Sequence, residues 1–91
     1  MTERINTTLA AFITPAFSPT AEWTVQAQID TSSKGYVDVE AQADADAPWV
    51  QIGSLNALSS PPMLHFAKVP GARLKAYNNE GGYTLKAWSG E

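Results

Sequence analysis

Cysteine is absent from these 91 residues, which removes both a disulfide framework and a thiolate metal site and leaves packing and sheet hydrogen bonds to hold the fold. Long apolar runs are missing as well. The opening segment MTERINTTLAAFITPAF has one arginine and no apolar run longer than Leu9–Ile13, too short for a secretory h-region or a membrane span. Synthesis in a cytoplasm is therefore expected, and no membrane partner. Without a signal peptide, the acceptor pattern Asn6-Thr7-Thr8 would not meet the glycosylation machinery. Basic charge is scarce too: six Lys and Arg against nine Asp and Glu give a net charge of -3. Arg4, Lys34, Lys68, Arg73, Lys75 and Lys86 are dispersed, whereas nucleic-acid binders need clustered cations that neutralise several phosphates. No nucleic-acid partner is expected.

His65 is the only histidine, so a three-histidine zinc site cannot form, and no triad partners for it are recognisable. The serine-rich stretches SSKG and LSSPP lack the Gly-x-Ser-x-Gly turn that exposes a nucleophile, and they read as loop chemistry. Asp38, Glu40, Asp44 and Asp46 offer oxygen ligands for a hard cation. Asp44-Ala-Asp46, however, lacks the following Gly and the terminal Glu of a calcium loop, so a solvated strand face is the simpler reading. Nothing singles out a catalytic carboxylate pair. The chain is thus expected to be no enzyme, with no metal and no cofactor.

What is present is an alternating rhythm. Hydrophobic residues make up 44 % of the chain and charged residues 16 %, enough apolar surface for one folded domain. At this length roughly 60 to 65 % of the unfolded chain's surface can be buried, so the core is expected to be thin. Trp23, Val25, Ala27 and Ile29 alternate with polar residues at the period of a half-buried strand. DTSSKG at 30–35 then favours reversal into a hairpin, and Val37, Val39, Ala41 and Ala43 alternate with acidic residues. ADADAP is expected to leave the sheet before Pro48. Trp49 to Ile52 follows as a short strand ending at Gly53, and GSLNALSSPP as an irregular connection that crosses between sheets. Met63 to Val69 reads as a strand covered on both sides. Arg73, Lys75 and Tyr77 alternate with Ala72, Leu74 and Ala76, and a second run follows from Tyr83 to Trp88. The NNEGG between them, rich in residues that tolerate positive φ, reads as a hairpin loop.

The expected architecture is all-β: a small antiparallel β-sandwich, immunoglobulin-like or jelly-roll-like, of about seven strands. Residues 21–91 form the sandwich domain. Residues 1–20, interrupted by Thr14-Pro15 and Ser18-Pro19, are an N-terminal arm or first strand.

Among the aromatics, alternation buries Trp23 and leaves Tyr36, Tyr77 and Trp88 on the polar sides of their strands. Exposed aromatics of that kind are enriched at protein interfaces. Together with Arg73 and Lys75, the residues Tyr36, Tyr77 and Trp88 are the candidate protein-contact set. Lys68, Arg73, Lys75 and Lys86 are the candidates for a small basic patch suited to a protein carboxylate, if strand pairing gathers them, with a solvated face the simpler reading.

PWVQIGSLNA followed by LHFAKVPGARLKAYNNEGG resembles the small β-sandwich proteins of tailed-bacteriophage virions over residues 21–88. The matching features are a strand before a Trp, Trp49 with Val50 and Ile52, then Phe66, the run Val69–Leu74, and a Gly-containing final hairpin. The usual Asp-Gly turn before the Trp is replaced by Asp46-Ala-Pro48. The resemblance implies a structural virion component: a capsid decoration protein, a head fibre base or a connector. It implies synthesis in the host cytoplasm and residence in the virion. Its partners would be other virion proteins, a major capsid or tail/connector protein, and it would form a homo-oligomer. A different reading of the exposed aromatics is a carbohydrate-binding module that stacks sugars on Tyr36, Tyr77, Tyr83 or Trp88.

Overall fold

Side-chain alternation decides where the strands lie. The computed structural model, which describes residues 1–91, contains β1 (Thr2–Thr7), β2 (Phe12–Ile13), β3 (Trp23–Ile29), β4 (Tyr36–Gln42), β5 (Val50–Asn56), β6 (Met63–Phe66), β7 (Gly71–Tyr77) and β8 (Leu85–Gly90). In β3 the residues Trp23, Val25 and Ala27 are buried, and in β7 so are Ala72, Leu74 and Ala76, while their neighbours face outward. The strands form two antiparallel four-stranded sheets, ordered β1-β8-β3-β6 and β2-β7-β4-β5. The fold is the expected all-β sandwich, with eight strands rather than about seven.

This strand order is the jelly-roll arrangement. Among consecutive strands only β4 and β5 pair with each other; every other connection carries the chain from one sheet to the other. Two expected hairpins are therefore corrected. Asp30–Gly35 joins β3 to β4 across the sandwich, and Asn78–Thr84 does the same for β7 and β8. Turn residues set the sign of φ and reverse the chain, but they do not fix which strand pairs next. Asn78, Gly81 and Gly82 do take positive φ, at 62, 97 and 76°. Here those angles serve a corner that spans the ~10 Å between sheets instead of the ~4.8 Å between paired strands.

Residues 1–20 supply β1 and β2, one strand to each sheet. β1 pairs with β8, and Ile5 is buried against Ala87. β2 pairs with β7, and the line continues through Thr14, which donates to Leu74 O at 3.0 Å, and Phe17, which bridges to Ala72. β5 runs three residues past the expected stop at Gly53, reaching Asn56, and a bulge near Ile52 shifts its alternation against β4. β6 is shorter than expected and forms a sheet edge, with Met63 and His65 exposed.

The core is one layer deep: Ile5, Trp23, Val25, Val37, Val39, Leu55, Leu74 and Leu85, with four alanines between them. Trp23, 1 % exposed, is the largest of these. It packs edge-on to Phe17 at 5.7 Å and against Phe66 at 5.0 Å, and its indole N–H donates to Ala67 O at 3.0 Å. Gly53 makes room where β6 closes over β5. A Cβ there would lie 2.8 Å from Leu64 Cδ1 and 2.9 Å from Phe66 Cζ.

One polar residue organises an end of the sandwich. Asn79 is 1 % exposed. Its amide donates to Tyr83 O at 2.8 Å and Leu9 O at 3.3 Å, its Oδ1 accepts from Ser33 Oγ at 2.7 Å, and its backbone N–H donates to Ala10 O at 3.1 Å. Ser33 Oγ in turn accepts from Gly35 N at 3.0 Å. The loops β1–β2, β3–β4 and β7–β8 are thereby tied through one side chain.

Candidate functional site

The outward face of the β2-β7-β4-β5 sheet collects Tyr36, Arg73, Lys75 and Tyr77. β4 and β7 run antiparallel with Tyr36 opposite Tyr77, Asp38 opposite Lys75, and Glu40 opposite Arg73. β2 adds Ile13 beside Lys75, 52 % exposed. Trp88 is not part of this group. It lies on the outward face of the other sheet, between Glu3 and Gln26.

The face is built in rows. In the first, the Tyr36 and Tyr77 rings stack with centroids 5.2 Å apart and an interplanar angle of 18°; aromatic pairs of this kind add ~0.5–1.5 kcal/mol beyond the area they bury. In the second, Asp38, 7 % exposed, accepts a long 3.5 Å hydrogen bond from the Tyr77 hydroxyl, and Lys75 Nζ sits 6.0 Å from the Tyr77 ring. Burial first, and the Asp38 charge second, raise the Tyr77 phenol above its usual 10.0. The phenol stays protonated and donating. In the third row, Arg73 Nε donates to Glu40 Oε1 at 2.7 Å while its guanidinium lies over the Trp49 ring at 4.3 Å. This ion pair is partly shielded, with side chains 27 % and 15 % exposed. Held on two sides, the guanidinium has few rotamers left to lose on binding.

Trp49, Ile13 and Glu40 belong to this face although sequence reasoning did not include them. One signal for Glu40 was available. Asp38 and Glu40 on one strand match Lys75 and Arg73 on another when the strands run antiparallel, and opposite charges across strands are favoured. The four-residue basic patch does not form. Arg73 and Lys75 share a face, Lys86 lies on the other sheet opposite Asn6 and Gln28, and Lys68 sits in the β6–β7 link.

The remaining polar candidates stand apart from one another. Asp44 and Asp46 occupy the β4–β5 turn, where Asp44 Oδ1 accepts from Asp46 N at 3.0 Å. No three acidic or histidine side chains converge. His65 meets Thr24 Oγ1 at 3.1 Å and Glu22 Oε2 at 3.4 Å on the exposed side of β6. Beside Tyr36 a concavity of ≈ 330 Å³ is lined by Thr31, Lys34, Asn56, Leu58 and Asn78 among others. A more apolar hollow of ≈ 240 Å³ is lined by Ala41, Ala43, Val50, Ile52, Val69 and Pro70, with Gln42 its one polar residue.

Against this geometry, comparison of the chain with protein-family models, with curated proteins and with solved structures gives no match in any of the three.

Proposed function

We propose that this chain is a non-enzymatic structural protein of a tailed-phage virion, held to the capsid surface or the head–tail region by protein contacts through the outward β2-β7-β4-β5 face. The observation that carries the reading is the composition of that face: a stacked tyrosine pair, an arginine pinned between Glu40 and Trp49, and exposed Ile13. Tyr, Trp and Arg are the residues that dominate binding energy at protein interfaces. The jelly-roll order is in keeping with this role, since viral capsid proteins use it, but lectin domains use it as well and fold alone assigns no function. The partner is a major capsid or tail/connector protein.

Co-sedimentation with particles that lack this chain tests the reading. The wild-type chain should bind saturably and appear in mature particles by mass spectrometry. Arg73→Glu and Tyr77→Ala should each weaken binding by about 10- to 100-fold, and Trp88→Ala on the opposite face should not. Absence from particles, or binding indifferent to Arg73 and Tyr77, sinks it.

A second reading has its own observation. The concavity beside Tyr36 sets an aromatic ring next to Thr31, Lys34, Asn56 and Asn78, a combination suited to a sugar. Glycan-array binding lost in Tyr36→Ala supports that reading; an array with no binder removes it.

A further inference from the structure

Four sheet edges are open to solvent, and they are not equivalent. β1 carries Glu3 and Arg4. β2 is two residues long, and β6 is four. β5, VQIGSLN, is seven residues long, ends its sheet and has no charged side chain. Natural sheets blunt exposed edges with charge, proline or brevity, and a long uncharged edge is a template for another strand. The bulge near Ile52 interrupts this edge only locally, and Val50 and Ile52, which share a face by alternation, both line an apolar hollow beside it.

Two further features lie at opposite ends of this strand. At its start is the hollow lined by Ala41, Ala43, Val50, Ile52, Val69 and Pro70, with Val50 57 % exposed. Just past its end is Leu58, 87 % exposed. Leu58 is held out by a tight turn: its N–H donates to Asn56 Oδ1 at 2.8 Å, Ser59 N donates to Asn56 O at 3.1 Å, and Asn56 N donates to Ser59 Oγ at 3.0 Å. Six strand steps separate Val50 from Asn56, about 20 Å at ~3.4 Å each, so Leu58 cannot reach its own hollow.

We infer that β5 pairs antiparallel with β5 of a second copy about a two-fold axis near Gly53, and that each Leu58 seats in the other copy's hollow. This gives a form to the homo-oligomer that the phage resemblance implies, and in that sense rests on the proposed function. Antiparallel pairing centred there sets Val50 against Asn56 and Ile52 against Ser54, with no charge opposing a like charge. The same operation carries the leucine at the end of one strand to the apolar start of the other. Such an isologous contact closes as a dimer and leaves no free copy of the β5 edge.

Sedimentation equilibrium on the full chain is the test. The expected result is a dimer in the micromolar to submillimolar range. Leu58→Asp and Val50→Lys, both at solvent-exposed positions, should raise its dissociation constant by about 100-fold or more while leaving far-ultraviolet dichroism unchanged, and the melting midpoint unchanged at concentrations where the wild-type chain is monomeric. Because the chain has no cysteine, Ile52→Cys with Ser54→Cys, opposed in this register and clear of the turn that presents Leu58, should yield a disulfide-linked dimer on mild oxidation. A monomer throughout that range, a dimer unmoved by either substitution, or no cross-link overturns the inference. Particle binding by a monomer would remove this dimer and leave the proposed function standing; a dimer that ignores particles would do the reverse.

Discussion

Asn79→Ala is the sharpest test of how this thin sandwich is held at one end. The side chain gives or receives three hydrogen bonds within a fully enclosed site, to Leu9 O, Tyr83 O and Ser33 Oγ. Truncation leaves two carbonyls and a hydroxyl short of a partner. At about 1 kcal/mol each, the loss is roughly 3 kcal/mol, and more if water cannot enter. A chain of this size has ~5–10 kcal/mol in all. Urea unfolding followed by tryptophan fluorescence should therefore show the midpoint falling by about 2 to 3 M at an unchanged slope, and a thermal scan should show a drop of roughly 15 °C. Asn79→Asp separates donor from acceptor. It keeps an oxygen facing Ser33 but sets a carboxylate against the Leu9 and Tyr83 carbonyls. Burial and those oxygens raise the introduced carboxyl's folded pKa above its unfolded ~3.9. The stabilisation from its protonated form is therefore complete below the unfolded value and is lost as pH rises through the folded one. Asn79→Asp should be weak at neutral pH and recover on acidification. A cost under about 1 kcal/mol for Asn79→Ala would refute the idea that this residue ties the three loops.

Further outcomes follow from the same geometry. Gly53→Ala should cost about 1–2 kcal/mol by forcing Leu64 and Phe66 aside, and adding Leu64→Ala should recover part of it, so that the double-mutant cycle is non-additive; additive losses would show that the close approach across β5 and β6 is not the cause. A cycle over Arg73→Ala and Glu40→Gln should give a coupling near 1 kcal/mol that shrinks with salt, as for a partly shielded pair, and zero coupling would contradict the third row of the face. Tyr77 holds its proton more tightly in the fold than in the unfolded chain. Its contribution is thus fully present below the unfolded value of 10.0 and is lost as pH rises through the folded one. Urea midpoints taken below and above that value should fall more steeply for wild type than for Tyr77→Phe, and parallel slopes would speak against a raised phenol.

Much of the fold was written in side-chain alternation. Trp23, Val25 and Ala27, or Val37 and Val39, announce both strand and buried face, because one face of each sheet must meet the other. Long-range facts had weaker signals. Phe12 and Ile13 are two strand residues between irregular segments, so local propensity hardly distinguishes them from an arm; pairing with β7 is what makes them a strand. Asp38 and Asn79 are buried by their partners in space, Tyr77 in one case and three loop segments in the other. Tyr36, Arg73, Lys75 and Tyr77 come together because β4 and β7 are neighbours, and Trp88 is excluded because β8 belongs to the other sheet.

The two mistaken hairpins carried a contradiction that the sequence itself exposes. Directly opposed residues in adjacent strands share a face, so a one-residue slip sets a buried side against a wet one. Closing Asp30–Gly35 as a hairpin would put Ile29 against Tyr36, and hence Val25 against Glu40. Closing Asn78–Gly82 would put Tyr77 against Tyr83, and hence Leu74 against Lys86. Both pairings mix inner with outer residues. The one true hairpin passes the same check: Val37 faces Leu55 and Asp38 faces Ser54, and the bulge near Ile52 brings Glu40 to Gln51. Opposite charges then choose the partner for β7, since Asp38 and Glu40 match Lys75 and Arg73 only when β4 and β7 run antiparallel side by side. The corner connections are therefore a consequence of face matching. Once β7 must lie beside β4 with its alanines inward, β8 can bury Leu85 and Ala87 only from the opposite sheet, and the loop with three positive φ angles is what lets the chain get there.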